Sequence, residues 1–491
     1  MAETRSSVLA RPAFGRAVAR ERGISMGALW TLVACAVPAI VMLIPALKVV
    51  DVAYGLRTGQ IMLDTHALVR TDPFGLATAG LPWLNQQWGA QILMALVYRA
   101  GGWDAMVLAR AVLSGLAFSL VYASCRERGA DPRRAAVLTI AGFVLAVGHD
   151  MRAELFGLVL LATTIRLVTA RRRHPGLIWP VPLVTVVWAN VHGSFVLAPA
   201  LIGLAYLEDR SERRPDSRRV LLAGLLTLGA TAVTPWGPGV WPYALGLSTS
   251  KMITDTVREW GPTTLRTGTG VLFYVSAAAV VWILARRSEP VPRTSLLALG
   301  LFFAGGLWAI RGVAWWGVAA PVILTPLLPP ADTTRERADR PSRVNTAIAA
   351  AVVLGGLLLL PWWRTLDRPP ETLLAFAPST LTDELRQVVG PQTRMFNPQI
   401  WGSWFELEIP GQPTFVDARI EVVPDAVWRD YDAISSARTG WEQIVDRWGF
   451  DVIVASRTQQ APLIDALKTA PGWRAAYSGV EGVVYVRSTL G

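Results

Sequence analysis

From residue 28 onward the chain is a succession of apolar runs broken by short polar connections. A helix needs about 20 apolar residues to cross a bilayer, and only helices or closed barrels can cross one. The runs fall near 28–50, 104–125, 135–149, 153–170, 177–191, 194–207, 220–234, 270–285, 294–310, 313–328 and 344–361. Those that meet at residues 149 and 192 are short, and are expected as broken or tightly joined helices. The connections at 126–134, 171–174, 209–219, 286–293 and 335–343 are rich in arginine, and the intervening ones are not. Basic loops stay on the cytoplasmic side, so the pattern predicts about eleven spans with the N-terminus inside and the C-terminus outside.

Composition agrees. Of the 491 residues 52% are hydrophobic and 17% charged, with a mean hydropathy of +0.38; soluble chains carry about 25% charged residues. The net charge of +11 would suggest nucleic acid in a soluble protein, but here it sits in the basic loops. Lys48, Lys251 and Lys468 are the only lysines, so arginine supplies nearly all the positive charge. Cys35 and Cys125 lie in or beside apolar runs and offer no disulfide framework.

Three parts follow. Residues 1–27, with five arginines and no apolar run, read as a cytoplasmic tail and not as a cleavable signal. Residues 28–361 form the transmembrane domain, with a first outer loop at 51–103 in which 89–100 lies along the membrane surface. Residues 365–491 read as an extracytoplasmic α/β domain. Its helices are expected near 380–389, 427–433 and 440–448, and its β-runs at 413–416, 451–455 and 482–486.

Several groups of residues stand out. Asp51 follows the first run, and the first loop carries Asp72-Pro73-Phe74 and then Trp83-Leu84-Asn85-Gln86-Gln87-Trp88. His149-Asp150-Met151-Arg152 forms a second acidic turn. With these the chain resembles the membrane-integral C-type glycosyltransferases, the GT-C superfamily. More narrowly it resembles a bacterial subgroup bearing Trp188-Ala189-Asn190-Val191-His192-Gly193, Pro235-Trp236-Gly237, Glu259-Trp260 and Val416-Asp417-Ala418-Arg419. Where that subgroup often has an acid before the tryptophan at 88, this chain has Gln87, so no catalytic acid stands there. The resemblance implies a polytopic α-helical fold, a polyprenyl-phosphate sugar donor, a reaction outside the cytoplasm and a first-loop aspartate as general base.

Transfer of a sugar from a lipid phosphate to a hydroxyl needs a base for the acceptor's proton, cations for the leaving phosphate and an apolar groove for the prenyl tail. Asp51, at the membrane edge, is the candidate base; otherwise it is a helix-terminal acid paired with Lys48 or Arg57. Asp72 is either a catalytic partner or the opening of a turn before Pro73, and Asp64 reads as a solvated loop acid. Asp150 and Arg152 are either an internal ion pair or a second acid and a phosphate ligand. Arg311, between two apolar runs, needs an anion, and a lipid phosphate or the interface supplies one.

His192 either contacts substrate or closes its turn. Arg57, Glu259 and Trp88 complete the substrate-binding candidates, and Asp417 with Arg419 reads as a structural salt bridge, or otherwise as an acceptor-binding pair. The four histidines lie on different loops with no metal-ligand spacing, and no phosphate loop or dinucleotide fingerprint occurs. No metal or cofactor is expected, although a divalent ion held by Asp51 and Asp150 would be chemically reasonable. The partners implied are the lipid-linked donor, a glycan, lipid or protein acceptor, and membrane lipid, with no nucleic acid. The competing readings are a transporter or flippase of lipid-linked sugars, which usually shows an internal repeat not seen here, and a non-catalytic envelope scaffold.

Overall fold

The computed structural model describes residues 23–148, 150–249, 254, 257, 259–329, 340–366 and 368–488. Most of the tail at 1–27, and His149 of the second turn, lie outside them. Three described helices are long and apolar enough to cross a membrane: Trp88–Glu127, Ala153–Ala170 and Gly268–Ala285. Five shorter apolar helices accompany them, Met26–Met42, Pro175–Ala189, Arg293–Trp308, Gly312–Leu327 and Arg343–Leu358. Leucines on Ser217–Ala230 and valines on Gly268–Ala285 are exposed on the outside of the bundle, as lipid-facing residues are. Glycine lets two helices meet at backbone distance. A Cβ at Gly142 would lie 2.1 Å from the carbonyl oxygen of Gly317, between helices Pro132–Ala146 and Gly312–Leu324.

The first run is shorter than expected. Its helix stops at Met42, not near residue 50, because Pro45 cannot continue it. The exposed carbonyls at this helix end are taken from across the bundle. Arg110, buried inside the helix Trp88–Glu127, donates to the carbonyl oxygens of Met42 at 3.0 Å and of Pro45 at 2.5 Å. Nor is 51–103 a plain loop. Strand β1 (Leu47–Lys48) leads directly into a helix, Val49–Thr65, and a second helix begins at Trp88. That second helix breaks at Gly101 and Gly102, where the backbone leaves helical geometry. The stretch before the break is thus the segment 89–100, and the longer stretch starts at Trp103.

The C-terminal region has a four-stranded sheet of order β3-β4-β6-β5: Met395–Phe396, Val452–Ser456, Gly482–Arg487 and Trp473–Ser478. The first pair is parallel and the others antiparallel. Strands at 451–455 and 482–486 are where the alternation placed them, but 413–416 forms only an isolated bridge from Thr414 to Gly75. This region is locked to the bundle rather than tethered. Strand β2 (Leu374–Ala375) pairs in parallel with β1, Trp404 stacks on Trp103 with ring centres 6.4 Å apart, and helix Gln399–Glu408 packs along Val49–Thr65. One apolar core runs through both parts.

Candidate active site

Where the helix Val49–Thr65, the start of helix Ala153–Ala170, the residues Tyr243, Leu247, Val257, Glu259 and Trp260, and the strip Ala418–Glu421 meet, there is a cavity with about 800 Å³ of empty space, part of it open to solvent. Its lining is mostly polar. Arg152 is its centre. Nη1 donates to Asp51 Oδ2 at 2.7 Å, and Nη2 donates to Glu154 Oε2 and to Glu259 Oε2, both at 2.6 Å. Arg311 enters from the start of helix Gly312–Leu324, with its Nη2 3.5 Å from the same Glu154 oxygen and its guanidinium 4.3 Å above the Trp260 ring. Its backbone N–H donates to the Glu259 carbonyl at 3.2 Å, which ties the segment 259–261 to this wall.

Two guanidinium groups on one carboxylate oxygen are neighbours. Arg152 and Arg311 therefore reach one point from different helices. Each also keeps its Nε buried with no hydrogen-bond partner among the described residues. The acids differ in access. Glu154 is sealed, while the Asp51 and Glu259 side chains keep 37% and 44% of their surface open, so these two face whatever enters. Oδ1 of Asp51 has no partner among the described residues, and neither Lys48 nor Arg57 pairs with it.

His192 lines the same cavity, and its Nδ1 accepts from the Ser194 N–H at 3.2 Å, capping the tight turn Gly193–Val196. The Trp188–Gly193 run as a whole is a joint. Trp88 Nε1 donates to Asn190 Oδ1 at 2.9 Å, Gln86 Nε2 donates to the Ala189 carbonyl at 2.8 Å, and Trp188 Nε1 donates to Ser194 Oγ at 3.0 Å. These bonds hold the first-loop helix against the turn that carries His192.

Other candidates are corrected by their surroundings. Asp150 does not line the cavity: its carboxylate accepts from Arg110 at 3.1 Å and from the backbone N–H of Lys48 at 2.7 Å, so it braces the helix end described above. Asp72 is buried and equally committed, to Arg419 at 2.7 Å, to the Thr78 hydroxyl and to the N–H of Phe74 at 3.1 Å. Arg57 and Trp88 also lie outside the lining. Asp64 pairs with Arg99 on the surface.

Asp72 holds the last wall in place. Arg419 is buried, with Asp72 on one side, Asp417 bonded to Nε at 3.1 Å and Glu406 3.8 Å away, under the rings of Phe74 and Trp83. Burial alone would raise the Asp417 carboxyl, but Arg419 and its hydrogen bonds hold it below the ordinary value. Burial pushes Glu406 well up, and Asp417 beside it adds to this. The network fixes Arg419, and with it the strip that presents Glu421 to the cavity. Glu421 is exposed at the cavity. The protein atoms crowded around its carboxyl, with Asp417 and Asp51 nearby, outweigh its backbone hydrogen bond and Arg419, and raise the carboxyl to about 7. Glu154 and Glu421 were not singled out from the sequence; the signal for Glu421 was its proximity to Asp417 and Arg419.

No family model matches the chain, and no curated protein matches it either. Solved structures do. An oligosaccharyltransferase from Archaeoglobus fulgidus, tethered to an acceptor peptide containing the NVT sequon, matches 94% of this chain and 74% of its own at 14% identity, with a TM-score of 0.52. The same archaeal enzyme, AglB, in complex with an inhibitory peptide and a dolichol-phosphate, matches at 13% identity and 0.51. ArnT from Cupriavidus metallidurans, bound to undecaprenyl phosphate, matches 95% of this chain and 98% of its own at 14% identity and 0.52. Both are GT-C glycosyltransferases. At this identity the likeness is one of fold, and it covers the C-terminal region as well as the helices. The chain has the GT-C fold.

Proposed function

We propose that the protein is a membrane glycosyltransferase that moves a sugar from a polyprenyl-phosphate donor to an extracytoplasmic acceptor, a glycan, lipid or protein. The observation that carries this reading is the convergence of Arg152 and Arg311 on Glu154 at the wall of a polar cavity, each with a buried, unpartnered Nε. A pair of guanidinium groups with donors to spare suits a phosphate. Glu259, the most open of the acids on Arg152, is the one an arriving phosphate displaces. ArnT, which shares the fold, was solved with undecaprenyl phosphate, and this supports a lipid-phosphate donor here.

In this reading Asp51 is the general base. Its Oδ2 is oriented by Arg152, and its side chain lines the cavity. The acceptor hydroxyl's proton passes to Oδ1 as the acceptor oxygen bonds to the anomeric carbon. The bond from that carbon to the phosphate oxygen breaks, and polyprenyl phosphate leaves with the electron pair under Arg152 and Arg311. One carboxylate suffices, because phosphate leaves without a general acid. His192 and Glu259 border the substrate space, and Glu421 closes it from the C-terminal side. The site lies at the non-basic end of the bundle. The proposed topology therefore keeps the N-terminus cytoplasmic and residues 365–491 exported; reporter fusions after Arg134 and after Gly491 are expected on opposite sides. Membership of the subgroup bearing the Trp188–Gly193 run belongs to the same proposal.

The deciding experiment uses purified protein with a panel of polyprenyl-phosphate sugars, scoring release of the lipid phosphate. Asp51→Asn is expected to lose about 10²–10⁴ in turnover with donor binding retained, and Asp64→Asn to change little. An Asp51→Asn protein that keeps near-full activity overturns the assignment of the base, and no release from any donor overturns the transferase reading.

A further inference from the structure

A second cavity lies at the other end of the bundle. It is a slot with about 560 Å³ of empty space, part of it open to the outside, between the last turns of Ala153–Ala170, the later half of Leu197–Ser211, the start of Arg293–Trp308 and the end of Gly312–Leu324. We propose that this cavity binds one acyl chain of an anionic glycerophospholipid from the leaflet at the basic end, with Arg128 taking its phosphate. The inference does not rest on the transferase reading. Glu154 of the first cavity and Thr169 of the second lie on one helix, fifteen residues and so about 22 Å apart.

The shape suits a chain. From Thr294 to Phe302 the wall extends eight residues along one helix, about 12 Å. Half of a bilayer's hydrocarbon core is about 15 Å. The wall thus runs over most of one leaflet's depth, and Leu201, Ile165, Phe302 and Val322 give the slot an apolar lining. Only its end is charged, with Arg128 and Glu208, and that end is at head-group depth, beside the arginine-rich connections 126–134 and 171–174.

The acids there are shared unevenly. Glu208 is shared by three arginines: Arg171 at 2.7 Å, Arg172 at 2.8 Å and Arg128 at 3.8 Å. Arg171 also has Asp209 at 2.8 Å, and Arg172 has Glu212 at 2.7 Å. Arg128 has only the distant contact, beyond hydrogen-bond reach, and its Nε is buried with no partner among the described residues. A guanidinium with free donors at the head of an apolar slot fits a phosphodiester, and basic pockets between spans on the cytoplasmic side are where anionic head groups bind. Glu208 disfavours a second negative charge, which selects a singly charged phosphodiester over a phosphate dianion.

The test is native mass spectrometry of the full chain released from detergent, titrated with dioleoyl phosphatidylglycerol and dioleoyl phosphatidylcholine, which share their acyl chains. Wild type is expected to retain the anionic lipid about tenfold more strongly, the size of one hydrogen bond to a charged group. Arg128→Gln should bring the two lipids within about twofold, and Ala298→Phe, which fills the slot, should weaken both. Equal retention of both lipids by wild type overturns the proposal, and that comparison needs no variant. So does an Arg128→Gln protein with undiminished preference, equal displacement by inorganic phosphate at the lipid's concentration, or preferential retention of undecaprenyl phosphate, which would make the slot a donor-tail site.

Discussion

Arg152 and Arg419 are both surrounded by three acids, and the two clusters behave as opposites. Around Arg419 everything is dry: Asp72, Asp417 and Glu406 are buried, and Arg419 lies under two aromatic rings. Around Arg152 two of the three acids are more than a third open, and the arginine keeps a spare donor. A saturated ion network inside a protein is a fastener, because any missing partner leaves a bare charge in low dielectric. A half-satisfied network at a cavity wall has capacity for one more ligand. From sequence alone Asp51 is the candidate base and Asp72 either its catalytic partner or the opening of a turn; their partners separate them.

The largest expected effect breaks the fastener. Arg419→Ala leaves Asp72 and Asp417 buried and unpaired, a change that costs about 3–5 kcal/mol. It should lower the melting temperature in detergent and expose the joint between the strip at 414–421 and the first loop to protease. Asp72→Asn should lose stability in the same direction, and the loss of turnover should follow the loss of fold. If Asp72→Asn melts like wild type while turnover collapses, Asp72 is catalytic and the contrast between the clusters fails.

Arg152→Gln tests the other side. The cavity is open, so Asp51 and Glu259 can be hydrated, and the sealed Glu154 keeps Arg311; stability should change less than in Arg419→Ala, while affinity for a polyprenyl-phosphate donor should fall by at least about tenfold, the scale of one charged hydrogen bond. Isothermal titration with undecaprenyl phosphate reads it. A variant that melts far below wild type would show Arg152 to be a second fastener.

What could be read from the chain, and what could not, follows the same division. Apolar runs and basic loops are local properties, so the helices lie close to their expected places. Arg152 and Arg311 were legible because an arginine in a short connection between apolar runs has few places to go. Glu154 was hidden at the start of an apolar run, where one acid in the first turn reads as a helix end. The helix Val49–Thr65 was hidden because its mixed surface, half against the bundle and half against Gln399–Glu408, shows no simple stripe. Asp72 and Arg419 are 347 residues apart, and no local pattern reports that they touch. The buried Arg110, inside an apolar run, was overlooked because most of its partners are backbone carbonyls, which carry no residue signature, and its acid, Asp150, is 40 residues away.

The smallest expected effect concerns Glu421, which belongs to both regions: the dry network holds its strip, and its carboxyl faces the open cavity. Its carboxyl is raised from an ordinary 4.5 to about 7, chiefly by the protein atoms crowded around it. Between those values the folded protein holds a proton there that the unfolded chain has lost, so stability falls as pH rises through that window and the penalty is complete above about 7. Glu421→Gln removes the titration. The melting temperature of wild type should therefore drop by more than that of the variant between pH 5 and pH 8. The cavity gives the carboxylate some access to water, so the difference should be a small one, well below the effect of Arg419→Ala. Equal drops would place Glu421 in ordinary solvent. A wider opening of the cavity than the strip at 418–421 now allows would then be required, and the clean division between fastener and site would lose its boundary at this residue.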